Sequence, residues 1–261
     1  MSPTRTNETI LVLCRAVPEE SRKYLQTVCA AGITDSGGFR RLYPVIFKPF
    51  ETGGGIPFRK KDWIEATTLP PDDKRDTRIE SRKIDEPSVK VVRHADDNEI
   101  RKIIQSRLCQ SVKEIQDAGA SLGFIKPRIV GFDCVVESTD EWNKSQVDLD
   151  GKPVGKIRLG QESRYSFFCQ KRKACCDHRP HKMEIRDWEA NELYRNIIRK
   201  EKNHALIRQK MRNKFYDWMT TERDVYFMMG NHHRWKVWMI VSVLYLRRPN
   251  STAQTAQETD A

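Results

Sequence analysis

The 261-residue chain lacks the features by which exported and membrane-spanning proteins are recognised. Its first apolar run, residues 9–14, is too short for the core of a signal peptide, and no small-residue cleavage site follows it. The longest apolar run, residues 237–245, has the length of a strand and falls well short of the about 18 residues that indicate a membrane helix. We therefore expect a cytoplasmic protein with no membrane segment.

The sequence also lacks the motifs by which common enzyme classes are recognised. Three consecutive glycines at 53–55 are followed neither by Gly-Lys-Ser/Thr nor by a helical pattern, so the segment is not a phosphate-binding P-loop. The sequence contains no His-Glu-x2-His motif and no deaminase pattern of His-x-Glu with Pro-Cys-x2-Cys. Internal repeats and heptad runs are also absent, which excludes solenoids and long coiled coils.

Apolar residues are scarce, whereas cations are abundant. Hydrophobic residues make up 38% of the chain and charged residues 32%, and 47 Lys and Arg against 36 Asp and Glu give a net charge of +11. Such a surplus indicates a polyanionic partner, nucleic acid before any other. Two alternatives stay open at this point: a basic protein without a special partner, and a scaffold or regulatory protein that binds an acidic protein.

Metal-binding side chains are concentrated in one short segment. In a chain without an export signal, seven cysteines are expected to be reduced, so a metal site is favoured over a disulfide framework. Five donors lie within thirteen residues: Cys169, Cys175, Cys176, His178 and His181. Thiolate and imidazole are the ligands that zinc prefers, and we predict a zinc loop here. An incidental cluster is the alternative, and an iron–sulfur site is disfavoured because only three thiols are local.

The spacing does not choose four ligands from the five donors, because it matches no regular zinc-finger pattern. We expect only one of the adjacent Cys175 and Cys176 to bind, and one or both of the two histidines. Four protein ligands would make a closed, structural site, whereas an open position would allow a catalytic water. We favour the structural site.

Three groups of cations suit phosphate contact, one of them beside an aromatic ring that suits base stacking. The first lies on a predicted strand, the second at the tip of the zinc loop, and the third on the polar face of a helix predicted over 203–221. We predict DNA or RNA binding by Arg40, Arg41, Tyr43, Lys171, Arg172, Lys173, Arg208 and Arg212.

The rival hypothesis is an enzyme, most plausibly a metal-dependent nuclease or another phosphodiester hydrolase. Acidic residues would then converge on a hard cation in a cleft, and the candidates are Asp76, Glu80, Asp133 and Glu137. No motif specifies their arrangement, so this hypothesis depends on the fold.

The pattern of apolar residues predicts an α+β fold. We expect a β-rich N-terminal half, a curved sheet or partial barrel, followed by a C-terminal half in which the zinc loop precedes two helices and a hairpin. Helices are predicted over 18–32, ended by Gly32, and over 96–118, capped by Asp96 or Asp97 and ended by Gly119. A further helix is predicted from Asp187 onward, with Asp187 as its N-cap. The predicted organisation is a β-rich part at 1–94, a helix–strand connector at 95–140, a polar loop at 141–160, the zinc-loop part at 161–248 and a disordered tail at 249–261.

Overall fold

A computed structural model describes residues 4–21, 25–46, 56–72, 76–136, 161–176, 178–232 and 237–249. The fold is α+β, with a β-rich N-terminal half and helices mostly in the C-terminal half, as predicted. The polar loop predicted at 141–160 and the predicted tail beyond Pro249 lie outside the described residues. No helix in the described part of the chain has the length and hydropathy to cross a membrane.

The described residues of the N-terminal half form seven strands: β1 (Thr6–Arg15), β2 (Glu19–Ser21), β3 (Leu25–Thr34), β4 (Phe39–Ile46), β5 (Asp62–Leu69), β6 (Ser81–Ile84) and β7 (Lys90–His94). Five of them close into a barrel in the order β1-β3-β4-β6-β5, and β1 also pairs with β5. All pairs in the ring are antiparallel except β4–β6. This order, with its one parallel pair, is the Greek-key arrangement of OB-fold barrels. The sheet is therefore closed rather than merely curved.

The C-terminal half consists of two further sheets and the main helices. Its strands are β8 (Leu108–Cys109), β9 (Leu122–Ile125), β10 (Arg128–Val136), β11 (Gln161–Phe168), β12 (His181–Glu184), β13 (Arg223–Asn231) and β14 (Trp238–Arg247). Helix α1 (Asp97–Gln105) follows the barrel and ends the N-terminal side of the chain. The helices of the C-terminal half are α2 (Val112–Asp117), α3 (Trp188–Lys200), α4 (His204–Arg212) and α5 (Met219–Glu222), with a π-helical stretch at Asn213–Trp218 between the last two. One sheet has the order β10-β11-β12, and the other has the order β14-β13-β9-β8.

The helix predicted over 18–32 is wrong, because this segment forms β2 and β3. The apolar residues at near-helical spacing serve two sides of a barrel strand: Val28 faces the barrel interior, whereas Cys29 faces a cavity on the outside. Gly32 does not end a helix. A side chain at Gly32 would collide with the carbonyl oxygen of Leu11 on the neighbouring strand, so glycine is needed for close strand pairing.

The helix predicted over 96–118 is divided into α1 and α2. Asp96 caps α1 as expected, since its side chain accepts hydrogen bonds from the backbone of Asn98 and Glu99. Ser111 caps α2 in the same way, and the two-residue strand β8 lies between the helices. Gly119, at a positive φ of 67°, follows the end of α2. The apolar periodicity of the sequence continues across the break because α1 and α2 each bury an apolar face.

The two halves share a hydrophobic core. Side chains from β1, β3 and α1 pack in one cluster with side chains from β9, β13 and β14. The buried members of this cluster are Leu11, Leu13, Cys14, Ala31, Ile33, Trp63, Ala95, Ile100, Ile104, Leu122, Phe124, Tyr226, Met228, Val241, Leu244 and Leu246.

A buried ion pair joins the halves at one point. The carboxylate of Asp187, the predicted cap of α3, accepts hydrogen bonds from the backbone nitrogens of Glu189 and Val243 and from the hydroxyl of Ser242. The ammonium group of Lys60, on the barrel side, lies 2.7 Å from the same carboxylate, and the two side chains are only 4% and 1% exposed. Burial alone would lower the pKa of Lys60, but the charges of Asp187 and Glu189 outweigh it and raise the pKa.

Removing the Lys60 ammonium should destabilise the protein strongly. Lys60→Ala leaves the Asp187 carboxylate buried without its cation, so the free energy of unfolding should fall by about 3–5 kcal/mol. Urea denaturation monitored by circular dichroism measures this change.

Lys61→Ala is the matched control, because Lys61 forms its own ion pair with Asp97 at partly exposed positions. That change should cost no more than about 1 kcal/mol. Equal losses in the two variants would contradict the assigned role of the buried pair.

Candidate metal centre

The cysteine-rich segment connects two paired strands. β11 and β12 are antiparallel, and Phe167 lies opposite His181 in their register. Cys169 follows the end of β11 directly, and a single turn of 3-10 helix at Arg172–Ala174 leads to Cys175 and Cys176. The pairing of β11 with β12 thus brings the chain back beside the end of β11 and places His181 next to the cysteines.

Four side chains converge in this loop: Cys169, Cys175, Cys176 and His181. Their donor atoms all lie within 4.8 Å of one another. The Cys175 Sγ is 3.5 Å from the Cys169 Sγ and 3.2 Å from the His181 Nε2. In a tetrahedral site with metal–sulfur bonds of about 2.3 Å, neighbouring ligand atoms are separated by roughly 3.8 Å. The four donors therefore have the spacing that a single tetrahedral ion requires.

Burial affects the ligand forms of the thiols and of the imidazole in opposite ways. Cys169 and Cys176 are buried, and burial together with the neighbouring thiols raises the pKa of both. Burial also lowers the pKa of His181, which favours the neutral imidazole that metals bind. A metal ion reverses the effect on the thiols, because it stabilises the thiolate form. The backbone nitrogen of Cys169 already donates to the Cys176 sulfur at 3.2 Å.

His178, the fifth predicted donor, is exposed and lies outside this cluster. Both adjacent cysteines take part, although we expected only one to do so. The 3-10 turn explains this arrangement, since the backbone nitrogens of Cys175 and Cys176 both donate to the carbonyl oxygen of Arg172. The tight turn brings both sulfurs to the same side of the loop.

The predicted nucleic-acid residues lie on several elements. Arg40 and Arg41 lie on opposite faces of β4: Arg40 forms an ion pair with Glu8, and Arg41 is buried beside a cavity that Tyr43 also lines. The three cations of the loop tip are all exposed: Lys171, Arg172 and Lys173.

On α4, Arg208 and Arg212 are exposed. Arg212 stacks on the ring of Tyr216 and lies 3.8 Å from the Asp217 carboxylate. Arg208 and the loop-tip cations form no ion pair with any side chain in the described ranges.

The acidic residues of the rival hypothesis do not converge within the described residues. Asp76 forms an ion pair with Arg78, and Glu80 accepts hydrogen bonds from Ser121. Asp133 lies on a different sheet, on β10, where it forms an exposed ion pair with Lys182 of β12. Glu137 lies outside the described residues. The cysteine–histidine cluster is the one group of three or more potential ligands found in the described part of the chain.

Sequence reasoning missed two contributions to this region. Phe168, at the end of β11, lies under two guanidinium groups, those of Arg128 and Arg172, at 4.7 and 4.3 Å. Arg128 is distant in sequence, and only the pairing of β10 with β11, which sets Arg128 opposite Phe168, reveals the contact.

The second missed contact is the buried ion pair. The sequence indicated Asp187 as a helix cap, but no neighbouring residue indicated its buried partner Lys60.

The fold and the cluster define a two-part α+β protein in which an OB-type barrel is joined to a half that contains a candidate metal centre. Residues 104–260 match the family described as Domain of unknown function (DUF8757). This match covers more than half of the chain, and the chain belongs to that family. Residues 6–108 match a second family model, described as Domain of unknown function (DUF8758). No curated protein matches the chain.

Elemental analysis of the purified protein should find one bound metal ion per chain. Cys169→Ser and His181→Ala each remove one of the four donors, so both variants should lose the metal and unfold at a lower temperature. Mass spectrometry of the metal content and thermal unfolding measure the two effects.

His178→Ala removes the same kind of side chain three residues away and should keep the metal. If the parent protein contains no metal, or if His178→Ala loses it as readily as His181→Ala, the assignment of the ligands is incorrect.

Proposed function

We propose that this chain is a zinc-stabilised protein that binds nucleic acid. Three thiols and one imidazole form the donor set, which suits zinc and is unsuited to Mg²⁺ or Ca²⁺, the ions that prefer oxygen ligands. Because four protein donors complete a tetrahedron, no position remains for a catalytic water. The zinc is accordingly structural and holds the loop between β11 and β12.

The nucleic-acid half of the proposal rests on a surface beside the metal centre. We call it the loop patch and define it by Arg128, Phe168, Lys171, Arg172 and Lys173. Its four cations are exposed and form no ion pair among the described residues, although the chain supplies 36 acidic residues that could neutralise them. An unneutralised cluster of this kind is a site for phosphate groups, because each contact releases counterions from the polyanion.

The aromatic ring in the loop patch adds a second type of contact. Arg128 and Arg172 both stack on Phe168, which fixes their planar guanidinium groups at the surface. Guanidinium planes and aromatic rings are the surfaces on which unpaired bases stack. The patch therefore favours single-stranded DNA or RNA over a duplex.

Zinc contributes by fixing the position of these cations. Lys171, Arg172 and Lys173 lie between two of the ligands, Cys169 and Cys175, so a metal bond holds each end of the segment. A preorganised cation loses less conformational entropy on binding than one on a mobile loop. Removal of the metal should thus weaken binding even though the metal does not touch the nucleic acid.

The rival function as a hydrolase receives no support from the described acidic residues, since they do not form a cluster. An acidic protein partner would use the same cations and is therefore an outcome of the binding test. Arg208 on α4 is another exposed cation, but it stacks on no aromatic ring in the described part of the chain.

Binding to single-stranded DNA and RNA should depend on salt and on the loop patch. Fluorescence anisotropy across a salt series gives the slope of log affinity against log salt. The triple change Lys171→Ala, Arg172→Ala and Lys173→Ala removes three phosphate contacts, so this slope should become shallower by about 2 on single strands.

The control removes the same net charge from three exposed lysines on other elements: Lys90, Lys102 and Lys113. This variant should keep the parental slope. Absence of binding to both DNA and RNA at low salt would refute the nucleic-acid half of the proposal, and an acidic protein retained by the loop patch after nuclease treatment would replace it.

A further inference from the structure

A cavity of about 320 Å³ lies between the outer face of the barrel and the β13–β14 hairpin. We call it the barrel–hairpin cavity. Its walls come from β3, β4, the segment before β6 and the facing ends of β13 and β14. The volume is at the lower end of the range of about 300–1,000 Å³ in which small-molecule sites fall.

A buried arginine without a counter-ion faces this cavity. Arg41 is 5% exposed and lines the cavity wall. Its Nη2 donates to the carbonyl oxygen of Ser121 at 3.2 Å, and its Nη1 lies 3.7 Å from the sulfur of Cys29. Its Nε has no hydrogen-bond partner, and the guanidinium forms no ion pair, among the described residues. Since an uncompensated buried charge is costly, Arg41 indicates an anionic ligand.

Of the three other arginines that line the cavity, Arg82 donates, among the described residues, only to the backbone carbonyl oxygens of Ile79 and Ser81, whereas the remaining two form ion pairs. Arg78 forms a bidentate ion pair with Asp76. Burial would raise the pKa of Asp76, but hydrogen bonds from Arg78 and Ser81 outweigh this effect and lower the pKa to about 2, so the carboxylate stays charged. Arg186 forms ion pairs with Glu19 and Glu184. The acidic residues in these pairs are thus already neutralised. The buried carboxylate of Glu80 accepts hydrogen bonds from Ser121, whose carbonyl oxygen accepts from Arg41, but Glu80 and Arg41 form no ion pair.

The hairpin side of the cavity offers a hydrogen-bond acceptor and apolar surface next to Arg41, because the Asn231 backbone nitrogen and the Arg41 Nη2 both donate to the carbonyl oxygen of Ser121. The Oδ1 atom of Asn231 is buried and has no hydrogen-bond partner among the described residues. Around it, the cavity is lined by the side chains of Val17, Met239 and Val241, and the ring of Tyr43, which is 45% exposed, lies at the same site. A matching ligand has an anionic group, an N–H donor and a flat apolar body.

We propose that the barrel–hairpin cavity binds a single phosphorylated nucleoside. Its phosphate would pair with Arg41, because a guanidinium group matches phosphate in geometry and charge. An amino or imino group of the base would donate to Asn231, and the base would lie against Tyr43 and Met239. Free nucleotides and the phosphorylated end of a strand both present this chemistry. The cavity is lined by none of the loop-patch residues, so this proposal does not rest on the nucleic-acid function proposed above.

Isothermal titration calorimetry of the full chain with the four ribonucleoside 5′-monophosphates tests the proposal. At least one should bind with one site per chain, more tightly than adenosine or inorganic phosphate does. Arg41→Gln should weaken that binding by about 10- to 100-fold, as expected for the loss of a hydrogen-bonded charge pair. A parallel titration with a short oligonucleotide, with and without a 5′-phosphate, shows whether the source is a free nucleotide or a strand end.

Arg40→Gln is the matched control. It removes the same charge from the adjacent residue, which lies on the opposite face of β4 in an ion pair with Glu8. The control should bind the nucleotide as the parent does. Should Arg41→Gln fail to fold by circular dichroism, Met239→Trp fills the cavity from the hairpin side and should abolish binding instead.

Three outcomes would overturn the proposal. One is that neither nucleotides nor the phosphorylated oligonucleotide bind at millimolar concentration. Another is that Arg40→Gln weakens binding as much as Arg41→Gln. The third is that inorganic phosphate binds as tightly as every nucleotide, which would leave the apolar wall and Asn231 without a role.

Discussion

The architecture depends on one buried carboxylate. Asp187 begins α3, holds β14 through Ser242 and Val243, and neutralises the barrel-side ammonium of Lys60. Without this carboxylate the helix would lose its cap, the hairpin a backbone contact and the barrel the partner of its buried cation. The segment around it also bridges the halves through the backbone, because Val17 donates to the carbonyl oxygen of Arg186 and Arg186 donates to that of Ile240. Barrel, helix and hairpin therefore meet within three residues of chain.

The candidate metal centre precedes this junction by a few residues. β12 starts at His181, one of the four donors, and ends at Glu184, three residues before Asp187. A metal that fixes His181 consequently also fixes the approach of the chain to the junction, so the two stabilising devices act on one continuous segment. This arrangement would give a bound metal a structural role, because its bonds would tie the loop to the strand that leads into the junction.

Structural features that depend on neighbouring residues could be predicted from the sequence. Features that depend on pairing with distant segments could not. The caps at Asp96 and Asp187 could be recognised because a helix start involves only neighbouring residues. The segment that forms β3 resembled a helix, since its apolar spacing reflects two surfaces that exist only once the barrel closes. The density of donors revealed the metal centre, but the choice of His181 over His178 depends on the register of β11 with β12. Similarly, the alternation of side chains along β4 places Arg40 and Arg41 on opposite faces of the strand. Which of the two is buried depends on the β13–β14 hairpin, almost two hundred residues later in the chain.

The shared hydrophobic core bears on how the chain is divided. The two family matches meet at residues 104–108, just where α1 ends, and this suggests two separable units. The packing contradicts such a division: Leu11 and Ile100 from one side lie in the same cluster as Tyr226 and Leu244 from the other. Cutting the chain at that boundary would expose apolar surface on both fragments, which carries a penalty of about 25 cal/mol for each Å². We therefore expect the two regions to unfold as one cooperative unit, although the two family models divide the sequence between them.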